Sequence, residues 1–220
     1  MRAYRMHEAV TKDAFVEVMQ AHRKADRIVQ GTYWENGRGC AVGCGLHTVR
    51  ALTGLDLKHS DHAALAAQVG VPEVLERLQD QIFEGLPVEL AGEWPLRFAR
   101  AIPDGADLSG VWPKFAVAIL RNLPPTPDYP DVTAAVARVA AGWETGWTDD
   151  GPSAAWSARS AARSAESAAE SAAWSAESAR SAESAAYIWM ADTLERLLSE
   201  APVPEPAAGE QGEQRQSPSM

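Results

Sequence analysis

Residues 153–187 carry a serine every three or four residues, and an alanine follows each serine. At 3.6 residues per turn, this spacing gathers the serines, the alanines and the intervening charged residues into separate stripes of a helix. Alanine is the strongest helix former, and serine weakens a helix only slightly. The repeat therefore predicts a long helix that continues to about residue 199 and extends roughly 70 Å. This segment therefore favours a helical fold for the chain.

The residues before the repeat show the apolar spacing and the end signals of shorter helices. Thr11 and Asp61 are predicted N-caps, and Gly31, Gly54 and Gly85 are predicted helix ends. The apolar residues 86–90 could form one short strand, but the sequence offers no partner strand. We therefore predict an all-α fold. Helices are expected over residues 12–30, 40–52, 62–69, 73–85, 95–102, 113–123 and 130–147.

Composition divides the chain into three predicted parts. Residues 1–148 hold most of the large apolar side chains and are predicted to form a compact helical domain. Residues 149–200 are predicted to form the long Ser/Ala-rich helix. Residues 201–220 are rich in proline, glycine, glutamate and glutamine, a composition typical of a disordered tail.

The charge and the apolar runs exclude two broad classes of partner. The net charge of −10 argues against general nucleic-acid binding, because phosphate neutralisation requires a basic face. No run of about 18 apolar residues is present, so we expect no membrane span. The N-terminal residues lack the apolar core of a signal peptide. We therefore expect a cytoplasmic protein, in which cysteines are thiols or metal ligands rather than disulfides.

The segment of residues 39–47, Gly-Cys-Ala-Val-Gly-Cys-Gly-Leu-His, is the strongest candidate for chemistry. On a helix, Cys40, Cys44 and His47 would project from one face. One hypothesis is that these three side chains bind a structural zinc ion. The fourth ligand would come from elsewhere in the chain. The candidates are His22, Asp26, His59 and His62.

A second hypothesis makes Cys40 the nucleophile of a cysteine-dependent hydrolase or transferase. A cysteine at a helix N-terminus experiences a field that favours the thiolate. His47 or His22 would then be the base, and Asp26 would orient it. A third interpretation is that the two cysteines and the glycines near them only allow close packing of helices, because cysteine is often buried.

The chain resembles a family of bacterial and phage hypothetical proteins in four segments. These are the run QGTYWENGRGCAVGCGLH, the following HSDH, the IFEGLP segment at 82–87 and the Ala/Ser/Trp repeat. The resemblance covers most of residues 20–195, and the GCAVGC segment is its most specific part. No activity is established for that family, so the resemblance implies a bacterial or phage setting but no catalytic residues.

The long helix suggests how the protein could act. Its small-residue stripe would let another helix approach closely, so residues 153–199 are a candidate surface for self-association or for a protein partner. The alternative is a slippage-expanded repeat that packs on its own domain, since alanine and serine bury little area. We therefore predict a helical accessory or interaction protein, and the cysteine-dependent enzyme remains the alternative.

Overall fold

The computed structural model describes residues 1–123, 130–145 and 178–205. These residues form nine α-helices and no β-strand, only two isolated β-bridges, so the predicted helical fold class is confirmed for this part of the chain. The helices are α1 (Lys12–Lys24), α2 (Ala41–Thr53), α3 (His62–Val69), α4 (Glu73–Gly85), α5 (Val88–Ala91), α6 (Trp94–Ala101), α7 (Val111–Asn122), α8 (Pro130–Glu144) and α9 (Ser178–Ser199).

The predicted end signals act as their chemistry requires. The side chain of Thr11 accepts a hydrogen bond from the main-chain N–H of Ala14 at 3.3 Å, and Asp61 accepts from Ala64 at 2.9 Å. Each bond satisfies an N–H group that has no partner within the first turn. Gly54 ends α2 in the left-handed conformation, with φ at 75°. A residue with a Cβ atom adopts that conformation only at a cost.

The first helix is shorter than the sequence predicts. It ends at Lys24 rather than near Gly31, and Asp26 adopts a positive φ of 52°. Beyond that point the chain is extended, and Ile28 forms a parallel bridge with Gly39. The apolar residues after α1 therefore pair with a later loop instead of continuing the helical stripe, so the prediction for residues 25–30 was wrong.

The apolar segment that could have formed a strand is also helical. Pro87 precedes the short helix α5, which covers Val88–Ala91. The main-chain oxygen of Pro87 accepts hydrogen bonds from the N–H groups of Leu90 at 2.8 Å and Ala91 at 2.9 Å. With no second strand in the described residues to pair with, these N–H groups are satisfied within a turn of helix.

Helix α9 contributes to the same apolar core as the helices before residue 123. Leu194 and Leu198 are fully buried, and α9 packs against α4, α6 and α7. Gly85, at the end of α4, lies directly against the ring of Tyr187, where a Cβ atom would collide with the ring. Arg97 of α6 forms ion pairs with Asp192 and Glu195 of α9. The last described helix is therefore docked by both apolar and ionic contacts.

The two predictions for the C-terminal part are only partly covered by the described residues. The Ser/Ala repeat up to residue 177 lies outside them, and so do residues 206–220. The first residues assigned to the predicted tail pack on the domain instead: Ala201 is buried, and the main-chain oxygen of Pro202 accepts a hydrogen bond from the N–H of Asp107 at 2.8 Å. In the described parts of the chain, no helix has both the length and the apolar character required to cross a membrane.

Candidate metal centre

A tight turn shapes the loop that leads into α2. Asn36 and Gly37 both have positive φ, at 50° and 80°, as two-residue turns of this hand require. Glu35 and Arg38 exchange main-chain hydrogen bonds across the turn at 2.7 and 2.9 Å. The loop, residues 31–39, is therefore a defined structure that returns the chain to Cys40.

Two glycines of the segment 39–47 let this loop lie against α2. The main-chain oxygen of Tyr33 occupies the space that a Cβ atom on Gly43 would take, and it also crowds the corresponding position on Gly39. The N–H group of Cys40 donates a hydrogen bond to the oxygen of Thr32 at 2.6 Å. Only glycine permits this approach of backbone to backbone.

Cys40 is the N-cap of α2 rather than a residue inside it. Its Sγ accepts a hydrogen bond from the N–H of Gly43 at 3.5 Å, and the residue is 2% exposed. Burial raises the pKa of the Cys40 thiol to about 12, and the negative charge of Asp80 acts in the same direction. The thiol is therefore neutral at pH 7, despite its position at a helix N-terminus.

Three donor side chains converge at Cys40. The thiol sulfur, a carboxylate oxygen of Asp80 and a carboxylate oxygen of Glu84 all lie within 4.8 Å of one another, the one group of three or more such donors that reaches this spacing in the described residues. Asp80 and Glu84 are four residues apart on α4, so both project from one face of that helix. We call these three residues the Cys40 cluster.

The carboxylates of the Cys40 cluster have defined neighbours. His62 Nε2 lies 3.1 Å from Asp80 Oδ2, and Glu84 Oε2 accepts a hydrogen bond from the N–H of Gly31 at 2.9 Å. The other oxygen of Asp80, Oδ1, is buried and has no hydrogen-bond partner among the described residues. Burial raises the pKa of Glu84, and Asp80 adds to the shift. The cluster thus brings two carboxyl groups next to a thiol, and one carboxylate oxygen of Asp80 lacks a hydrogen-bond partner among the described residues.

Cys44 is placed differently. It is fully buried, and its Sγ donates to the main-chain oxygens of Gly39 at 3.4 Å and Arg27 at 3.8 Å. Burial raises the pKa of this thiol to about 12. Cys44 therefore satisfies carbonyl oxygens of the loop and of the extended segment before it. Both cysteines are free thiols.

Three histidines gather around Trp34 instead of around a cysteine. The ring of His47 stacks on Trp34 with centroids 4.1 Å apart, and His59 lies 6.1 Å from the same indole. His22 contacts both Trp34 at 5.6 Å and His47 at 5.2 Å, edge to face. Burial lowers the pKa of His22 to about 4, and burial also lowers the pKa of His47.

The structure thus separates the residues that the sequence grouped together. Cys40, Cys44 and His47 do not form a cluster of donor atoms within 4.8 Å in the described residues. His47 and His22 contact each other, whereas Asp26 is exposed and pairs with Arg38 at 3.2 Å. Cys40 is the N-cap of α2 and has an extended backbone, so it lies just outside the helix on which the sequence projected it.

Two residues of the Cys40 cluster were not predicted. Asp80 and Glu84 lie in the segment RLQDQIFEG, where they read as the solvated face of an amphipathic helix. Their spacing of four was visible in the sequence, but α4 carries other acidic residues at similar spacing. His62, which was weighed as a fourth zinc ligand, does lie beside the cluster, through its contact with Asp80.

Comparisons of the chain with models of known protein families, with curated proteins and with solved structures gave no match.

Proposed function

We propose that this protein binds a divalent metal ion through Cys40, Asp80 and Glu84, and that zinc is the ion best suited to this donor set. The observation that carries the proposal is the convergence of the three donors within 4.8 Å of one another. Asp80 also has a buried carboxylate oxygen without a hydrogen-bond partner among the described residues. Thiolate, carboxylate and imidazole groups are the usual protein ligands of zinc.

The spacing of the donors suits a single ion. Ligands held about 2.0–2.3 Å from a tetrahedral zinc ion stand roughly 3.5 Å apart. Donor atoms already within 4.8 Å of one another need only small side-chain rotations to reach that arrangement. His62 would remain bonded to Asp80, in the way that partners of ligands commonly fix their orientation.

The protonation chemistry also supports a cation. Without one, Cys40 keeps its proton because burial and Asp80 raise its pKa to about 12. A coordinated thiol loses its proton outright, so binding should release a proton and strengthen with rising pH. The ion would offset the repulsion among the three acidic groups, and it would tie α2, α4 and the loop of residues 31–39 together.

Three protein ligands leave one position of a tetrahedral ion open. Glu84 is exposed, so this position would face solvent and could hold water, a substrate atom or a group from a partner. The proposal therefore includes both a structural role, which is to steady the loop, and a position at which chemistry or binding can occur.

The alternative of a cysteine-dependent enzyme has less support from the geometry. Cys40 is 2% exposed and its thiol is neutral at pH 7, whereas a nucleophilic cysteine requires an accessible thiolate. The predicted bases His47 and His22 pack around Trp34. The proposal of an interaction surface over residues 153–199 rests on the sequence, since much of that range lies outside the described residues.

The test is to purify the full chain without a histidine tag and measure bound metal and cobalt binding in matched variants. We expect about one zinc ion per chain, and a thiolate-to-cobalt charge-transfer band after substitution with Co²⁺. Both should be lost in Cys40→Ser and in Asp80→Asn. Both should persist in Cys44→Ser, because Cys44 bonds to main-chain oxygens.

Two results would overturn the proposal. One is a wild-type protein that binds neither zinc nor cobalt at concentrations well above those of trace contamination. The other is an equal loss of metal in the Cys44→Ser and Cys40→Ser variants, which would return the site to the arrangement expected from the sequence. Circular dichroism of each variant checks that the helices are retained.

A further inference from the structure

The loop of residues 31–39 is held from two sides. On one side, the N–H of Gly31 donates to Glu84, and the oxygen of Thr32 accepts from Cys40. On the other side, Trp34 packs against the rings of both His47 and His22. A change at the histidines can therefore reach the Cys40 cluster through a loop only nine residues long.

The histidines that contact this loop have buried ring nitrogens without hydrogen-bond partners among the described residues. His22 is 3% exposed, and neither of its ring nitrogens has a hydrogen-bond partner among the described residues. The Nδ1 atom of His47 is likewise buried and without a partner. Buried imidazoles in this condition are tolerated when they are neutral, but a proton added to either would have no acceptor.

The charged groups that face these histidines oppose protonation. Arg27 lies near both rings, and His47 also faces Arg50 and His59. Among the described residues, the charged groups that shift the pKa of these two histidines are all basic. Asp26, the carboxylate nearest to His22 along the chain, has a side chain that is 85% exposed and pairs with Arg38. Stacking on the indole of Trp34 would offset only part of the cost of a cation at His47.

We propose that His22, His47 and Trp34 form an acid-sensitive latch, which holds the loop of residues 31–39 closed near neutral pH and releases it when the histidines are protonated. The latch would regulate the metal centre proposed above, and to that extent it rests on the proposed function. Release of Trp34 would free Gly31 and Thr32 from their bonds to Glu84 and Cys40, so the cluster would open to solvent.

The sign of the pH dependence follows from linkage. In the open loop, His22 would titrate near its ordinary pKa of 6.5, whereas in the closed loop its pKa is lowered to about 4. The open form therefore binds more protons between these values, and the closed form loses stability as the pH falls through that window. Over the window, the equilibrium constant for opening should rise by roughly ten-fold or more.

The test is hydrogen exchange of the metal-free full chain, followed by mass spectrometry and corrected for the intrinsic pH dependence. In the wild type, the peptide that covers residues 31–40 should lose protection by roughly ten-fold or more between pH about 7 and pH about 5, while α4 and α7 keep theirs. In His22→Phe, which keeps an aromatic ring but cannot be protonated, this loss should be clearly smaller, because only His47 is then left to be protonated.

Two outcomes would overturn the latch. One is an acid-induced loss of protection in His22→Phe equal to that of the wild type. The other is simultaneous loss throughout the wild-type core, which would mean global unfolding. If His22→Phe does not fold, His22→Gln, which also cannot be protonated near neutral pH, provides the same comparison. Because the exchange is measured without metal, failure of the metal centre would appear only in the metal analysis, and failure of the latch only here.

Discussion

The main-chain oxygen of Tyr33 lies where a Cβ atom on Gly43 would stand. This relationship explains why the sequence places a glycine in the first turn of α2, where alanine would be the better helix former. The loop of residues 31–39 can lie against the helix only because position 43 has no side chain. The position of Cys40 in the Cys40 cluster therefore depends on Gly43 as much as on α2 itself.

We predict that Gly43→Ala detaches this loop and lowers stability by about 3 kcal/mol or more, because the added atom meets backbone rather than a flexible side chain. Chemical denaturation measures the change. Gly110→Ala is the matched control, since a Cβ atom there meets nothing within 4 Å. Similar midpoints for the wild type and Gly43→Ala would show that the loop does not require this glycine.

The two cysteines should react slowly in the folded protein. At pH 7 both thiols are neutral and buried, and we expect alkylation at least about a hundred-fold slower than for a free thiol. Iodoacetamide labelling followed by mass spectrometry measures the rate, and unfolding in urea should make both thiols fast. A fast thiol in the folded wild type that persists in Cys44→Ser but vanishes in Cys40→Ser would restore the enzyme hypothesis.

Much of the fold was predictable because its signals are local. Thr11, Asp61, Gly54 and Pro72 mark helix ends through hydrogen bonds or backbone angles that involve only nearby residues. The error after α1 arose from a contact with a distant segment. Ile28 continues the apolar spacing of α1, but it pairs with Gly39, and no pattern within the helix could reveal that bridge.

Of the three residues in the Cys40 cluster, the sequence pointed only to Cys40. Cys40 attracted attention because it follows a glycine-rich loop, but Asp80 and Glu84 join it through the packing of α4 against α2, which the sequence does not encode locally. The spacing of Cys40, Cys44 and His47 suggested one face of a helix. A cap residue breaks that geometry, because its backbone is extended and its side chain turns towards the helix end.

The docking of α9 should account for a large share of stability. Leu194 is fully buried, so Leu194→Ala should leave a cavity and lower the free energy of unfolding by about 2–5 kcal/mol. Val88→Ala is the control, because that side chain is 77% exposed and its loss should change stability by less than about 0.5 kcal/mol. Equal effects of the two substitutions in urea denaturation would contradict the packing of α9 on the core.

The core also contains a buried carboxyl group whose burial has a measurable consequence. Glu76 is 3% exposed, accepts a hydrogen bond from Gln79 at 3.3 Å, and borders a cavity of about 20 Å³, large enough for one water molecule. Burial raises the pKa of Glu76 from 4.5 to about 8, and Asp80 adds to the shift. The carboxyl group is therefore largely protonated in the fold at pH 7, although it is ionised in the unfolded chain.

The pH dependence of stability should follow from this difference. Between pH 4.5 and about 8 the folded protein holds a proton that the unfolded chain has released, so the contribution of Glu76 to stability falls as the pH rises through that window. Glu76→Gln should remove this slope and stabilise the protein at pH about 8 by an amount on the order of a few kcal/mol. Urea denaturation at several pH values measures both effects, with Glu17→Gln, an exposed position on α1, as the control. Parallel pH profiles for the wild type and Glu76→Gln would show that this carboxyl group is hydrated in the fold, with the cavity open to solvent.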